Sequence, residues 1–220
     1  MVRVGVVLSG CGVYDGTEIH ESVLTLLALS RAGAEAICMA PNIDQMHVID
    51  HLTGDPSGET RNVLTESARI ARGEIRDIAE VGAEELDALI FPGGFGAAKN
   101  LCNFAVAGSD ATVQPDVARL AVAMMKAKKP IAAVCIAPAM LAAICRDAGI
   151  AASVTIGNDP DAAGGIEGMG AKHLACPVDE FRVDEEHRLI TSPAYMLAGN
   201  IAEAATGIER TVAELLRMAG

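Results

Sequence analysis

The chain opens on a short β-branched apolar run, Val2 to Leu8, that breaks at Ser9-Gly10-Cys11-Gly12. After Gly16 the period changes: Ile19, Val23, Leu26, Leu27 and Ser30 fall on one helical face that ends at Gly33, and Glu35 to Ala40 returns to a strand pattern. Apolar strands alternating with amphipathic helices need cover on both faces, so this opening predicts a parallel βαβ unit. Pro41 to Arg61 carries turn signals around Thr53-Gly54-Asp55-Pro56 and reads as an ordered excursion, followed by a helix over Arg61 to Ala71. Leu86 to Phe91 is the next strand, stopped by Pro92-Gly93-Gly94. Pro115 to Lys126 is a helix with Val117, Leu120, Ala121 and Met124 on one side, and Pro130 to Val134 a strand whose leading proline sits where a missing N–H costs least. Pro138 lies early in the helix that continues through Ala139 to Cys145 and stops at Gly149, which leaves Cys135 at a strand-to-helix junction. Beyond it, Ser153–Ile156, His173–Cys176, Phe181–Val183 and Arg188–Thr191 predict short strands, residues 157–170 a loop rich in Gly and Asp, and Leu197 to Met218 a last helix. The expectation is an α/β three-layer sandwich, a mostly parallel central sheet with helices on both faces, formed by residues 1–220 as one domain.

Composition narrows the function. With 51% hydrophobic and 21% charged residues among 220, and 22 Gly and 9 Pro scattered along the chain, it is globular and of single-domain size. The 29 acidic against 17 basic residues give a net charge of -12, which repels a phosphate backbone, so no nucleic-acid partner is expected. The longest apolar run, Pro130 to Cys145, contains Pro138 and falls short of the roughly 20 residues that cross a bilayer, so no membrane partner is expected. Six cysteines without a CxxC pair, and an N-terminus that begins as a strand, predict a reduced, cytoplasmic compartment.

Cys135 carries the sharpest chemical signal. A strand-to-helix junction offers free N–H groups and a helix dipole, which favour a thiolate and a developing anion, whereas a cysteine elsewhere is commonly a small buried hydrophobe. The N–H of Ile136 and that of Gly94 would converge as an oxyanion hole if their strand ends are neighbours, although the glycine pair equally suits a tight turn. Glu21, at the edge of the first helix's apolar face, is placed to approach Cys135 and carry a proton; an ordinary solvated role is the alternative. His20 points about 100° away from Glu21 and, like Glu18, belongs at most to the rim. His173 and His187 follow the cysteine in the chain, where a Cys-His partner would lie, or serve structural roles. Cys11 and Gly12, with Tyr14 and Asp15 beyond them, sit in the loop after the first strand and are candidate substrate contacts. There is neither HExxH nor CxxC, and His47-Val48-Ile49-Asp50-His51 suits loop packing, so no metal is expected. The GxGxxG spacing after the first strand is incomplete and Asp15 would crowd a pyrophosphate, so no dinucleotide or other cofactor is expected.

Three segments together resemble the ThiJ/PfpI-type branch of the class I glutamine amidotransferase-like superfamily: Leu8-Ser9-Gly10-Cys11-Gly12-Val13-Tyr14-Asp15-Gly16 with Glu18-Ile19-His20-Glu21, then Phe91-Pro92-Gly93-Gly94-Phe95-Gly96-Ala97-Ala98-Lys99-Asn100-Leu101, then Cys135-Ile136-Ala137-Pro138-Ala139-Met140. The resemblance spans essentially the whole chain and is closest to the enhancing-lycopene-biosynthesis group, described as glyoxalases. It implies a flavodoxin-like fold, Cys135 as nucleophile in a strained elbow, Glu21 beside its sulfur, oxyanion N–H groups from Gly94 and Ile136, and Asn100 among the substrate contacts. Ile136 stands where the protease-like branch often has histidine, and no His-x-Glu pair of the glutaminase type appears near Pro177-Val178-Asp179-Glu180, so peptidase and glutaminase activities lose support. The resemblance implies glutathione-independent conversion of glyoxal, or another small 2-oxoaldehyde, to its 2-hydroxy acid through a cysteine hemithioacetal, with apparent deglycase activity where a reversible adduct is drained. It also implies a homodimer. The alternatives are a redox or carbonyl-stress sensor built on a reactive Cys135, and an accessory role in isoprenoid metabolism.

Overall fold

The computed structural model describes all 220 residues, Met1–Gly220. The opening unit is β1 (Arg3–Val7), α1 (Ile19–Arg31) and β2 (Glu35–Ala40), followed by α2 (Val63–Ile70), β3 (Arg76–Asp77) and β4 (Ala88–Phe91). Two short helices, α3 (Phe95–Lys99) and α4 (Phe104–Ala107), lead into α5 (Pro115–Lys126), β5 (Ile131–Val134) and α6 (Ala137–Asp147). The last third holds β6 (Ser153–Val154), α7 (Pro160–Gly168), β7 (Lys172–His173), β8 (Arg182–Asp184), β9 (Leu189–Ser192) and α8 (Ile201–Ala219). Seven strands form one sheet in the order β3-β2-β1-β4-β5-β9-β8, and β6 pairs with β7 in a separate two-stranded ribbon. Only the β8/β9 edge pair of the large sheet is antiparallel. No helix is long and apolar enough to cross a membrane.

The strands are apolar on both faces because both faces are covered. Val6, Ile90, Ala132 and Ile190 lie in register across β1, β4, β5 and β9, and they pack with Leu29 of α1 and Ile208, Val212 and Leu215 of α8. Their neighbours Leu89, Phe91, Ile131 and Ala133 point to the other face, against Val117, Leu120 and Met124 of α5 and Leu141 and Ile144 of α6. The result is the flavodoxin-like three-layer sandwich. From β1 the strand order runs outward to β2 and β3, and from β4 outward the other way to β5, so the carboxyl ends of β1 and β4 flank a topological switch point where such sheets leave a crevice.

Residues 157–170 depart from the expected loop. Asp159 caps α7 by accepting the N–H of Ala162 at 2.8 Å, Pro160 occupies the first helical turn, and Ala162 and Ile166 are buried, so capping and burial outweigh the poor propensity of the glycines. The last helix begins at Ile201 rather than Leu197 because Asn200 accepts the N–H groups of Ala202 and Glu203, while Ala194–Met196 forms a separate 3-10 turn. The strand expected over His173–Cys176 contracts to Lys172–His173, the two residues that find a partner in β6.

Candidate functional site

Cys135 sits between the end of β5 and the start of α6 with φ at +60°, a left-handed conformation that a non-glycine residue holds only when its surroundings impose it. The imposition is visible: its N–H donates to the Ser192 carbonyl at 3.0 Å, extending the β5/β9 pairing one residue past the strand while the chain turns into the helix. The turn aims the sulfur at the loop after β4. There Gly93 leaves no room for a side chain, since a Cβ would lie 2.9 Å from Cys135 Sγ and 2.8 Å from Glu21 Oε2. Gly94, at φ +92°, is pressed on Gly16 and Glu18, and a Cβ there would stand 2.5 Å from the Gly16 carbonyl oxygen. Close approach of three loops thus dictates both glycines, and it brings the N–H groups of Gly94 and Ile136 to face the Cys135 sulfur.

Glu21 reaches the same point from α1 and is fully buried. Its Oε2 accepts the Gly93 N–H at 2.8 Å, its Oε1 accepts the Tyr195 N–H at 3.1 Å, and the same Oε2 and the Cys135 sulfur both crowd the space beside the Gly93 Cα. Glu18 caps α1 by accepting the Glu21 N–H at 2.7 Å, which fixes the helical turn that carries Glu21. Burial lifts Glu21 from an ordinary 4.5 to about 7, and the Glu18 charge adds to the rise against the two backbone N–H groups. Burial, then the Glu21 charge, push the Cys135 thiol well above its usual range, outweighing the N–H groups of Gly94 and Ile136. The resting thiolate expected at this junction is therefore disfavoured: desolvation of the thiol of a residue only 7% exposed overcomes the helix terminus. What the site holds is a neutral thiol beside a carboxyl group that titrates near neutrality.

A cavity of about 510 Å³ opens on Cys135. Gly94 and Ile136 join Cys135 in its lining, while Glu21 lies behind the sulfur. Phe95, Phe104, Val106, Tyr195 and Met196 form much of its apolar wall, and its charged residues are Glu18, Asp159 and Asp161. Cys11, Gly12, Tyr14 and Asn100 do not line it. Cys11 is half-buried toward Glu66 and Arg69, and burial raises its thiol. Gly12 lies against the His51 ring, and Tyr14 stacks on that ring at 4.8 Å between centroids, bordering a separate shallow depression with Ile49 and Lys99. Asn100 is a tie between loops: its Nδ2 donates to the Ser9 and Asp15 carbonyls, each at 2.8 Å, and its Oδ1 accepts the Met46 N–H at 2.9 Å. From the loop after β1, Val13 is the residue that reaches the cavity.

No histidine lines the cavity. His187 pairs with Asp184 at 3.0 Å, and His173 Nε2 accepts the Ile156 N–H at 3.4 Å beside the small β-ribbon. His20 sits at the rim, its Nδ1 2.8 Å from the Tyr195 hydroxyl. His51 serves loop packing, with Nε2 accepting the Tyr14 N–H at 3.2 Å. No group of three or more His, Cys, Asp or Glu side chains is arranged to hold a metal ion. Tyr195, Phe104 and Asp159 are site residues that sequence reasoning passed over. Asp159-Pro160 carries a legible helix-start signal, whereas Tyr195 is delivered by Ala194 at φ +43°, which no residue pattern announces.

No family model matches the chain. The human protein glutamine amidotransferase-like class 1 domain-containing protein 3, mitochondrial, is 48% identical over 99% of this chain and 84% of its own length. The rat ES1 protein homolog, mitochondrial, is 46% identical over the same shares. A crystal structure of an isoprenoid biosynthesis protein with an amidotransferase-like domain from Ehrlichia chaffeensis superposes with a TM-score of 0.93 at 38% identity, covering both chains in full. The mitochondrial relatives overturn the cytoplasmic placement expected from the cysteines: unpaired thiols report a reducing environment and cannot tell one reducing compartment from another. Sharing nearly half its residues with these relatives over its whole length, the chain belongs to the ThiJ/PfpI-type glutamine amidotransferase-like superfamily, in the group that contains the ES1 proteins.

Proposed function

We propose that the protein is a glutathione-independent glyoxalase that converts glyoxal to glycolate on Cys135. The observation that carries this reading is the buried pair itself: a thiol beside a carboxyl group whose proton affinity lies near neutrality, at the wall of a cavity. The sulfur adds to one aldehyde carbon as its proton passes to Glu21, and Glu21 hands that proton to the new oxygen, which the N–H groups of Gly94 and Ile136 meet, so the hemithioacetal is neutral and Glu21 is ionised again. Glu21 next moves the proton of the new carbinol carbon to the second carbon through an enediol. The first carbon is oxidised to the thioester level while the second is reduced to an alcohol, so no external oxidant or reductant enters. Water then cleaves the C–S bond, releasing glycolate and restoring the thiol. Apparent deglycation follows where removal of free aldehyde drains a reversible adduct.

Metal and cofactor play no part in this scheme, and a homodimer is its expected assembly, tested by sedimentation. The sensor alternative needs a reactive thiolate, which the raised Cys135 thiol disfavours. The isoprenoid alternative rests on the name of the Ehrlichia relative. The test is glycolate production from glyoxal by the full chain without glutathione, beside Cys135→Ser, with folding checked by circular dichroism. Turnover that disappears in the folded variant supports the proposal, and turnover that survives in it removes Cys135 from the mechanism.

A further inference from the structure

The cavity is far larger than glyoxal needs. Glyoxal has four heavy atoms and no apolar body, whereas a cavity of about 510 Å³ falls in the range that encloses substantially larger organic ligands. Its wall is also unusual for this chain. There are four Phe, two Tyr and no Trp in the whole sequence, and three of those six rings, Phe95, Phe104 and Tyr195, meet here. Phe95 is 48% exposed and Val106 66%, so apolar surface faces solvent at the mouth of a site where a ligand would cover it. Gly165 of α7 makes space for this wall, since a Cβ there would lie 2.8 Å from the Phe104 ring. The charged residues of the lining, Glu18, Asp159 and Asp161, are all acidic, and no Lys, Arg or His joins them, in a chain of net charge -12. An anionic substrate meets repulsion on approach and finds no counter-charge on arrival.

Resting on the glyoxalase reading, we propose that the preferred substrates are 2-oxoaldehydes bearing an apolar aryl or alkyl group, uncharged or cationic, and that glyoxal is a minimal version of them. For phenylglyoxal the atoms balance as before. The thiol adds across the aldehyde, the carbinol proton moves to the former ketone carbon, the aldehyde carbon reaches the thioester level as the ketone becomes an alcohol, and water releases mandelate and the thiol.

The test compares kcat/KM for glyoxal, phenylglyoxal and 4-carboxyphenylglyoxal with the full chain, reading the 2-hydroxy acid products by chromatography. Phenylglyoxal is expected to exceed glyoxal by about tenfold or more through burial of its ring, and the carboxylated analogue to fall about tenfold or more below phenylglyoxal, with the gap narrowing as salt screens the carboxylates. Val106→Asp, at an exposed position, is expected to lower the phenylglyoxal-to-glyoxal ratio. Cys135-dependent turnover of glyoxal with phenylglyoxal equal or slower overturns this inference and leaves the glyoxalase reading standing. A phenylglyoxal preference that Val106→Asp does not alter overturns the assignment to this cavity, and no Cys135-dependent turnover of any of the three overturns both readings.

Discussion

Replacing Glu21 by Gln tests the electrostatics of the site through stability, independently of any substrate. The carboxyl group titrates at about 7 in the folded protein against an ordinary 4.5, because it is fully buried. Below pH 4.5 it is neutral in folded and unfolded chains alike. As pH rises toward 7 the unfolded chain releases the proton and the folded chain retains it, so the native state loses stability until the folded group itself ionises, and the loss is complete above that point. At about 1.4 kcal/mol per pH unit the total is roughly 3 kcal/mol. The amide introduced by Glu21→Gln does not titrate. It would keep one carbonyl oxygen for the Gly93 or Tyr195 N–H and turn its nitrogen toward the other, a cost of about 1–3 kcal/mol that is the same at every pH. Urea unfolding of both proteins at pH 4.5 and pH 8 separates these effects, because the remaining titrations cancel in the difference and the Cys135 thiol stays protonated throughout. Relative to the wild type, Glu21→Gln is expected to gain about 3 kcal/mol between the two pH values. A difference that stays constant within about 0.5 kcal/mol would show that burial does not raise the carboxyl group and would remove the basis for its role as proton carrier.

Further outcomes follow from the same geometry. Because Glu21 must be ionised to accept the thiol proton, kcat/KM for glyoxal should rise through about pH 7 and fall about tenfold per pH unit below it, a limb that Glu21→Gln abolishes along with most turnover. Gly93→Ala drives a methyl group onto the Cys135 sulfur and the Glu21 carboxyl group, and should cost more than about 3 kcal/mol in urea unfolding. Asn100→Ala breaks three buried hydrogen bonds between loops and should cost about 2–4 kcal/mol, yet leave kcat/KM within about twofold at temperatures where the protein stays folded, since the residue does not line the cavity.

The parallel sheet was legible because its strands are continuous apolar runs, Val2 to Leu8, Leu86 to Phe91 and Pro130 to Val134, broken by helices of clear period. Cys135, Gly94 and Ile136 were legible as residues at strand ends, where a doubly wound sheet gathers its ligands. Local pattern could not reach the rest. Asn100 and Tyr14 look as chemical as Glu21 in one dimension, and only the packing of the loop after β1 against the excursion through Met46 and His51 directs them away from the cavity. Conversely, Glu18 looked at most a rim residue, yet it caps α1 and lines the cavity because the Gly94 loop presses on it. The charge state of Cys135 was misread for a related reason. A helix start yields a thiolate only where its pull exceeds the cost of desolvating the charge, and that cost is a property of the whole fold.

That misreading bears on what the site is for. Sensing by oxidation needs an accessible sulfur held as thiolate, so that an oxidant meets a nucleophile at rest. Cys135 meets the cavity, but burial holds its proton on the sulfur, which faces a buried carboxyl group. The same burial that raises the thiol also raises Glu21, so once Glu21 ionises, at about pH 7, the two groups hold one proton and one negative charge between them. The pair releases that charge when a carbonyl carbon takes the sulfur's electrons: the negative charge moves to the new oxygen, the N–H groups of Gly94 and Ile136 face the place where it develops, and Glu21 lies beside the sulfur that gives up the proton. A thiol that gives up its proton as a carbonyl carbon takes its electrons suits turnover on an aldehyde seated in the cavity. The cost is carried by the fold, in the buried carboxyl group and in the left-handed backbone at Cys135 and Ala194, two positions that converge on Glu21.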